Sequence, residues 1–174
     1  MTTPQGPSTP PPPRYEESVR APVWVYLVLA APLGIMLGVM TGVAIVGAIG
    51  GGEAVAFYIV MSLAALLNVL LLVNFTSLTV AVTDTGVVFA FGLFRKRFAF
   101  DRIRSVEASD YRWTQYGGWG IRFSFGGKRA WSVPGVKRGV LLKVNERGLE
   151  RSYFVSSGRP DELAKAVSGG LSRS

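Results

Sequence analysis

Two uninterrupted apolar blocks fill the first half of the chain, and alternating apolar and polar positions fill most of the second. Residues 21–52 carry no charge, and their apolar core runs from Val23 to Gly47. That is longer than the roughly 20 residues needed to cross about 30 Å of hydrocarbon. A second block runs from Ala54 to Val73. Trp24 and Tyr26 open the first block, Phe57 and Tyr58 the second, and Phe75 follows its end, at the levels where amphipathic rings favour an interface. The link at 48–53, AIGGGE, is too short for anything but an antiparallel helical hairpin, so both chain ends are expected on one side. A cleaved signal peptide fits poorly, because its apolar region is about 7–15 residues and no second block follows it.

After Thr76 the period changes. Ser77–Thr83 alternates and runs into Asp84-Thr85-Gly86, a turn signal. Val87–Phe91, Arg97–Ile103 and Ser105–Tyr111 read as further strands. In Ile121–Phe125 the alternation places Ile121, Phe123 and Phe125 inward and Arg122 and Ser124 outward. Gly126-Gly127-Lys128 turns the chain into Arg129–Val133, and Gly139–Val144 and Leu149–Ser156 form a last hairpin. From Pro160 the spacing becomes helical, with Leu163, Ala166, Val167 and Leu171 on one face and Asp161 and Glu162 at the positive end of the dipole. Gly169-Gly170 is expected to end that helix. The order predicts a mainly-β domain over 76–171 of about seven antiparallel strands and a C-terminal helix, joined to a two-helix transmembrane hairpin over 21–75.

Residues 1–20, MTTPQGPSTPPPPRYEESVR, show no apolar period and are read as a Pro-rich disordered tail with polyproline-II character around Pro10–Pro13. Pro12-Pro13-Arg14-Tyr15 matches a PPxY ligand for WW domains, and a solvated tail is the plainer reading.

Charge then sets the orientation. The interhelix link has no Lys or Arg, whereas 76–174 has 17 Lys and Arg against 8 Asp and Glu, a net charge of +9. The positive-inside bias therefore predicts a multi-pass protein of the cell membrane with both termini in the cytoplasm. The chain has no Cys and no His, which removes disulfides, thiolate chemistry and the commonest general base and metal ligand. No phosphate-cradling glycine motif is present. The reading is a non-enzymatic chain with no catalytic residues, metal or cofactor, and with no nucleic-acid partner.

Tyr111–Arg122 (YRWTQYGGWGIR), Arg129-Ala130-Trp131-Ser132-Val133-Pro134-Gly135 and Arg138-Gly139-Val140 are similar to segments of the bacterial pleckstrin-homology-like (PH-like) membrane proteins of high-GC bacteria. The resemblance covers about residues 22–168 and implies a bent antiparallel sheet capped by a helix behind a two-span hairpin. Phosphoinositide-binding PH domains carry Lys and Arg in their first turn, where this chain has Asp84-Thr85-Gly86, so the resemblance implies the architecture rather than that ligand.

Three features are candidates for binding. Arg95-Lys96-Arg97 is the densest basic cluster, placed between Phe94 and Phe98, and it suits the negative surface potential of an inner leaflet. Arg112, Trp113, Tyr116, Trp119 and Arg122 mix the residue types of interface hot spots; core packing is the alternative for Trp119 and Trp131, and Gly117, Gly118 and Gly120 suggest a bend. Ala30, Gly34, Gly38 and Gly42 form a small-residue stripe. It would face the second helix, through Ala64, Ala65 or Asn68, or a second copy of the chain. Asn68 and Asn74 are expected to hydrogen-bond between helices. The sequence thus predicts a membrane-anchored binding or scaffold protein contacting membrane lipids and a protein partner or itself; the alternative is an accessory subunit of a larger membrane complex, joined through the glycine stripe.

Overall fold

The computed structural model describes residues 13–173, leaving aside the side chain of Phe125. The polyproline-II segment therefore falls, but for Pro13, outside the described residues. The chain runs β1 (Tyr15–Arg20), α1 (Val23–Val46), α2 (Gly51–Phe75), then β2 (Ser77–Val82), β3 (Gly86–Phe91) and β4 (Phe94–Ala99). After a 3-10 turn come β5 (Ile103–Asp110), the single-turn α3 (Trp113–Tyr116) and β6 (Gly120–Phe123). The chain closes with β7 (Lys128–Ser132), β8 (Arg138–Glu146), β9 (Leu149–Ser156) and α4 (Pro160–Leu171).

Both long helices, of 24 and 25 residues, are apolar enough to cross a membrane, with mean hydropathies of 2.2 and 2.5 over an 18-residue stretch of each. The link is shorter than the composition suggests, because Gly51, Gly52 and Glu53 already belong to α2, with Glu53 in its favourable first turn. Leu33, Met36, Met40 and Val43 form the half-buried face of α1, and Tyr58 of α2 donates its hydroxyl to the Met40 carbonyl at 3.2 Å. Gly34, Gly38 and Gly42 lie on the exposed side instead, with nothing within 4 Å of where a Cβ would stand. Larger side chains offer more contact area, and they take the intramolecular seam. Of the expected partners in α2, Ala65 and Asn68 are half-buried and Ala64 is exposed. The Asn68 Oδ1 is buried with no hydrogen-bond partner among the described residues, so the expected interhelical bond to it is not made.

The strands number nine among the described residues, not about seven, and they form two sheets: β1-β2-β3-β4 and β5-β8-β9-β7-β6. One pairing, β7 with β9, is parallel, against the all-antiparallel expectation. The Arg97–Ile103 strand lies earlier than its alternation suggests, as Phe94–Ala99, and Phe100–Arg102 turns the chain into the second sheet. Buried Leu78, Val80 and Val82 of β2 and Phe89 and Phe91 of β3 face Trp131, Leu142, Tyr153 and Val155 of the second sheet. Phe89 lies 5.1 Å from Trp131 and Phe98 4.7 Å from Tyr153 between ring centroids. Leu163 and Val167 of α4 close this core, and α4 runs through Gly169-Gly170 to Leu171, beyond its expected end. On the outer face of the second sheet, Tyr116 of α3 packs with Ala130 and Phe154. Because both of its faces are covered there, β9 has four consecutive buried residues instead of alternation.

Residues 15–20 are the main correction to the tail reading. They pair with β2 in full register, Tyr15 with Val82 through Arg20 with Ser77. Tyr15, Glu17 and Val19 point inward, and the charge at Glu17 hid the period. Its carboxylate accepts from the Ser157 hydroxyl at 2.6 Å, the Gly158 N–H at 2.8 Å and the Tyr15 hydroxyl at 2.8 Å, so the inward charge is satisfied. The Tyr15 hydroxyl is pushed up to about 12, first by burial and then by Glu17. Committed to a strand, and with Arg159 over its ring at 5.2 Å, Tyr15 is not presented as a PPxY tyrosine.

The strand pair β1–β2 runs directly into the helix pair. The Ala21 N–H donates to the Thr76 carbonyl at 2.7 Å, and α1 begins two residues later. Asn74, expected to bond across the helices, instead ties α2 to the β3–β4 turn: its Oδ1 accepts from the Leu93 N–H at 2.8 Å. Gly92 turns with φ +49° beneath it, where a Cβ would collide with the Asn74 side chain. Asn74→Ala should lower stability by about 1–3 kcal/mol, the usual cost of a buried donor left unmade. Thermal unfolding of the detergent-solubilised full chain measures this, and an unchanged midpoint would remove Asn74 from this role.

Candidate functional site

Several segments meet where the helices enter the β module. They are the ends of α1 and α2, the Gly92-Leu93 turn, the Trp113–Gly120 stretch and the loop after β7. Pro22 seats the last of these: a Cβ on Gly135, itself at φ +81°, would come within 2.7 Å of the Pro22 ring. Phe75, at the end of α2, lies 5.8 Å from Phe91 and 5.9 Å from Phe94. Trp24, in the first turn of α1, meets Trp119 edge to face at 6.5 Å. The result is one end of the module that carries large exposed apolar groups: Leu93 at 83% exposure, Trp113 at 60% and Phe94 at 51%, with Trp24 and Trp119 beside them.

Strand alternation divides the basic cluster of β4. Arg95 follows Phe94 and is exposed, with no hydrogen bond or ion pair among the described residues. Lys96 points the other way and donates to Glu146 Oε1 at 2.6 Å, lying over Phe98 at 5.3 Å. Arg97 is exposed again, but it reaches the Thr85 hydroxyl at the far turn of the sheet. The three residues do not form one site.

Glu146 gathers three cations: Lys96, Arg129 at 3.5 Å and Arg151 at 3.6 Å. It also accepts from the Tyr153 hydroxyl at 2.8 Å. The Lys96 hydrogen bond holds its carboxyl below the usual range, against a smaller opposing effect of burial. Burial, helped by Glu146, raises the Tyr153 hydroxyl well above its ordinary value. Every cation here is matched to the carboxylate across strands β4, β7, β8 and β9, which is the chemistry of a clasp between sheets. Nothing in the sequence marks Glu146 as the centre, because its partners lie 50, 17 and 5 residues away along the chain.

The aromatic stretch also divides. Trp113 and Trp119 are exposed, whereas Tyr116 is buried and stacks on Tyr111 at 5.3 Å, so Tyr116 is a packing residue. Burial raises the hydroxyls of both Tyr111 and Tyr116, and Tyr111 donates to the Gly118 carbonyl. Trp131 fills the core as its packing alternative expected, and Trp119 does not. Gly117, Gly118 and Gly120 all adopt positive φ through the bend. Phe123, expected inward, is 71% exposed because β6 is the sheet edge, and Arg129 covers its ring at 5.1 Å. Arg112 is exposed without a partner among the described residues. The Arg122 Nε donates to the Trp119 carbonyl at 2.8 Å. Among the described residues no group of three or more acidic side chains is arranged to hold a metal ion.

Of the residues expected to bind, Arg95, Arg112, Trp113, Trp119 and Arg122 remain exposed, Arg97 is exposed but turned to the Thr85 hydroxyl at the far end of the sheet, and Lys96 and Tyr116 are engaged internally. Leu93 and Trp24 join the helix end of the module, and the sequence signal for Leu93 is an apolar residue in a glycine turn. No family model, no curated protein and no solved structure matches the chain.

The Glu146 clasp predicts an acid-sensitive fold. A carboxyl held low in the folded state contributes stability that is present above its unfolded value, near 4.5, and is lost as pH falls through its folded value. Glu146→Gln should therefore cost about 1–3 kcal/mol at pH 7, and its deficit against the wild type should narrow below pH 4.5. Denaturant titrations from pH 7 to pH 3 measure both; a deficit independent of pH would contradict the charge-based account.

Proposed function

We propose that this protein is a non-enzymatic, membrane-anchored binding protein whose β module sits on the cytoplasmic face of the cell membrane and engages anionic lipid headgroups through its helix end. The observation that carries this reading is the absence of a linker: β1 and β2 pass into α1 and α2 within one or two residues. If the helices span a bilayer, the end bearing Leu93, Phe94, Trp113 and Trp119 is held at its surface. Aromatic rings favour that level, and Arg95 and Arg112 stand beside them with no ion pair among the described residues. The excess of Lys and Arg after the helices, and their absence from the link at 47–50, supports the cytoplasmic side for the module and both termini. Two facing sheets closed by a C-terminal helix support the PH-like reading of the module.

A second reading keeps the exposed stripe of Gly34, Gly38 and Gly42. Because α2 does not cover it, it suits close approach of another helix in an assembly. The chain has no Cys, so disulfide crosslinking of a Gly38→Cys variant in native membranes should give a specific covalent product if an assembly forms there.

The main reading is tested on full-length chain in nanodiscs carrying a single fluorescent label. A label at Leu93→Cys should be quenched by headgroup-level quenchers, more strongly with phosphatidylglycerol present and less at high salt. One at Thr85→Cys, a strand length of about 20 Å away, should not. Equal quenching at the two positions would refute the orientation. A reporter fused to the C-terminus should be active only in the cytoplasm.

A further inference from the structure

A groove of about 450 Å³ opens between the helix ends and strand β6. Val25 and Val28 of α1, Leu71 and Phe75 of α2, and Ile121 supply apolar walls, with Trp24 and Trp119 beside them. One charged side chain, Arg122, also lines it. The volume is within the range of small-ligand sites. An apolar channel of this size with a single cation suits a ligand that is a hydrocarbon chain ending in one anion.

The position of the groove narrows the ligand further. At 1.5 Å per residue the helices are about 36 and 38 Å long, against roughly 30 Å of hydrocarbon. About 6–8 Å of each helix is therefore left for the headgroup region. The groove is built from the first two turns of α1 and the last two of α2, so its helical walls lie at the boundary between acyl chains and headgroups. Arg122 is on the β6 side of that boundary. Its Nε is fixed by the Trp119 carbonyl at 2.8 Å, which leaves the two Nη groups to make the bidentate contact that guanidinium offers a phosphate. None of the ion pairs among the described residues uses Arg122. The cations of the β4–β9 clasp, by contrast, are already matched to Glu146.

We infer that this groove binds one anionic phospholipid of the inner leaflet, with an acyl chain between α1, α2 and β6 and its phosphate on Arg122. This deepens the proposed function and rests on its placement of the module at the membrane. It adds a specific site, which diffuse attraction of surface cations would not require.

The test is native mass spectrometry of the full chain released from detergent micelles, titrated with phosphatidylglycerol and, separately, with phosphatidylcholine. Wild type should retain one phosphatidylglycerol in preference to phosphatidylcholine. Arg122→Gln should lower phosphatidylglycerol retention about tenfold, the effect of losing one charge-assisted contact, and leave phosphatidylcholine retention unchanged. Arg122→Lys should keep most of the preference, and Leu71→Trp, which fills the groove, should weaken both lipids. Lys165→Gln, an exposed cation on α4 away from the groove and the helix end, should change nothing. The inference is overturned if Arg122→Gln binds like wild type, if Lys165→Gln loses as much, or if Arg122→Lys is no better than Arg122→Gln. Any of these leaves the Leu93 quenching result standing; loss of that quenching would instead remove the membrane orientation itself.

Discussion

The pairing of β1 with β2 is the constraint on which the rest of the molecule depends. Six residues before the first helix bond to six residues after the second, so a helical hairpin is spliced into a β-hairpin without slack. The Ala21–Thr76 bond continues the ladder to the foot of the helices, and Asn74 adds a tie from α2 to the neighbouring turn. A flexible linker would let the module tumble at a cost that rises slowly with length. Here the backbone ladder fixes which end of the module, and with it which exposed aromatic and basic groups, lies next to the helices.

Charge is arranged in two ways within one basic module. Across the middle of the structure, Glu146 concentrates Lys96, Arg129 and Arg151 into a clasp that joins the two sheets. At the helix end, Arg95, Arg112 and Arg122 have no carboxylate partners among the described residues. Strand alternation is what separates the two: residues next to each other in β4 leave on opposite faces. A run of three basic residues is thus one structural cation between two exposed ones. In the orientation we propose, the unpaired set faces the negative potential of the inner leaflet, where positive charge without a protein partner is favourable.

The aromatic residues follow the same division. Phe89, Phe98, Trp131 and Tyr153 hold the two sheets together in the core. Tyr111 and Tyr116 cover the outer face of the second sheet. Trp24, Phe94, Trp113 and Trp119 stay exposed at the helix end. Their exposure is hard to reconcile with water on all sides, since contiguous apolar patches mark interaction surfaces. The groove with Arg122 lies within this patch and gives it a polar anchor.

The sequence by itself determined the two long apolar helices, the change to strand periodicity after Thr76, the helix from Pro160 and the absence of Cys and His chemistry. Hydrocarbon length and residue period are local properties, and both can be read from neighbours in the chain. It did not reveal β1, because an inward Glu17 breaks the period and two of the three groups that satisfy it, Ser157 and Gly158, lie 140 and 141 residues away. Nor could it show that Tyr116 is buried while Trp119 is exposed, that β7 runs parallel to β9, or that Leu33 and Met40 rather than the glycines take the interhelical seam. Those outcomes depend on which surfaces meet, and contacts between distant segments leave no period behind. The residues of the candidate site were therefore largely visible one by one, but their separation into a clasp, a packing cluster and an exposed helix end was decided by the tertiary structure alone.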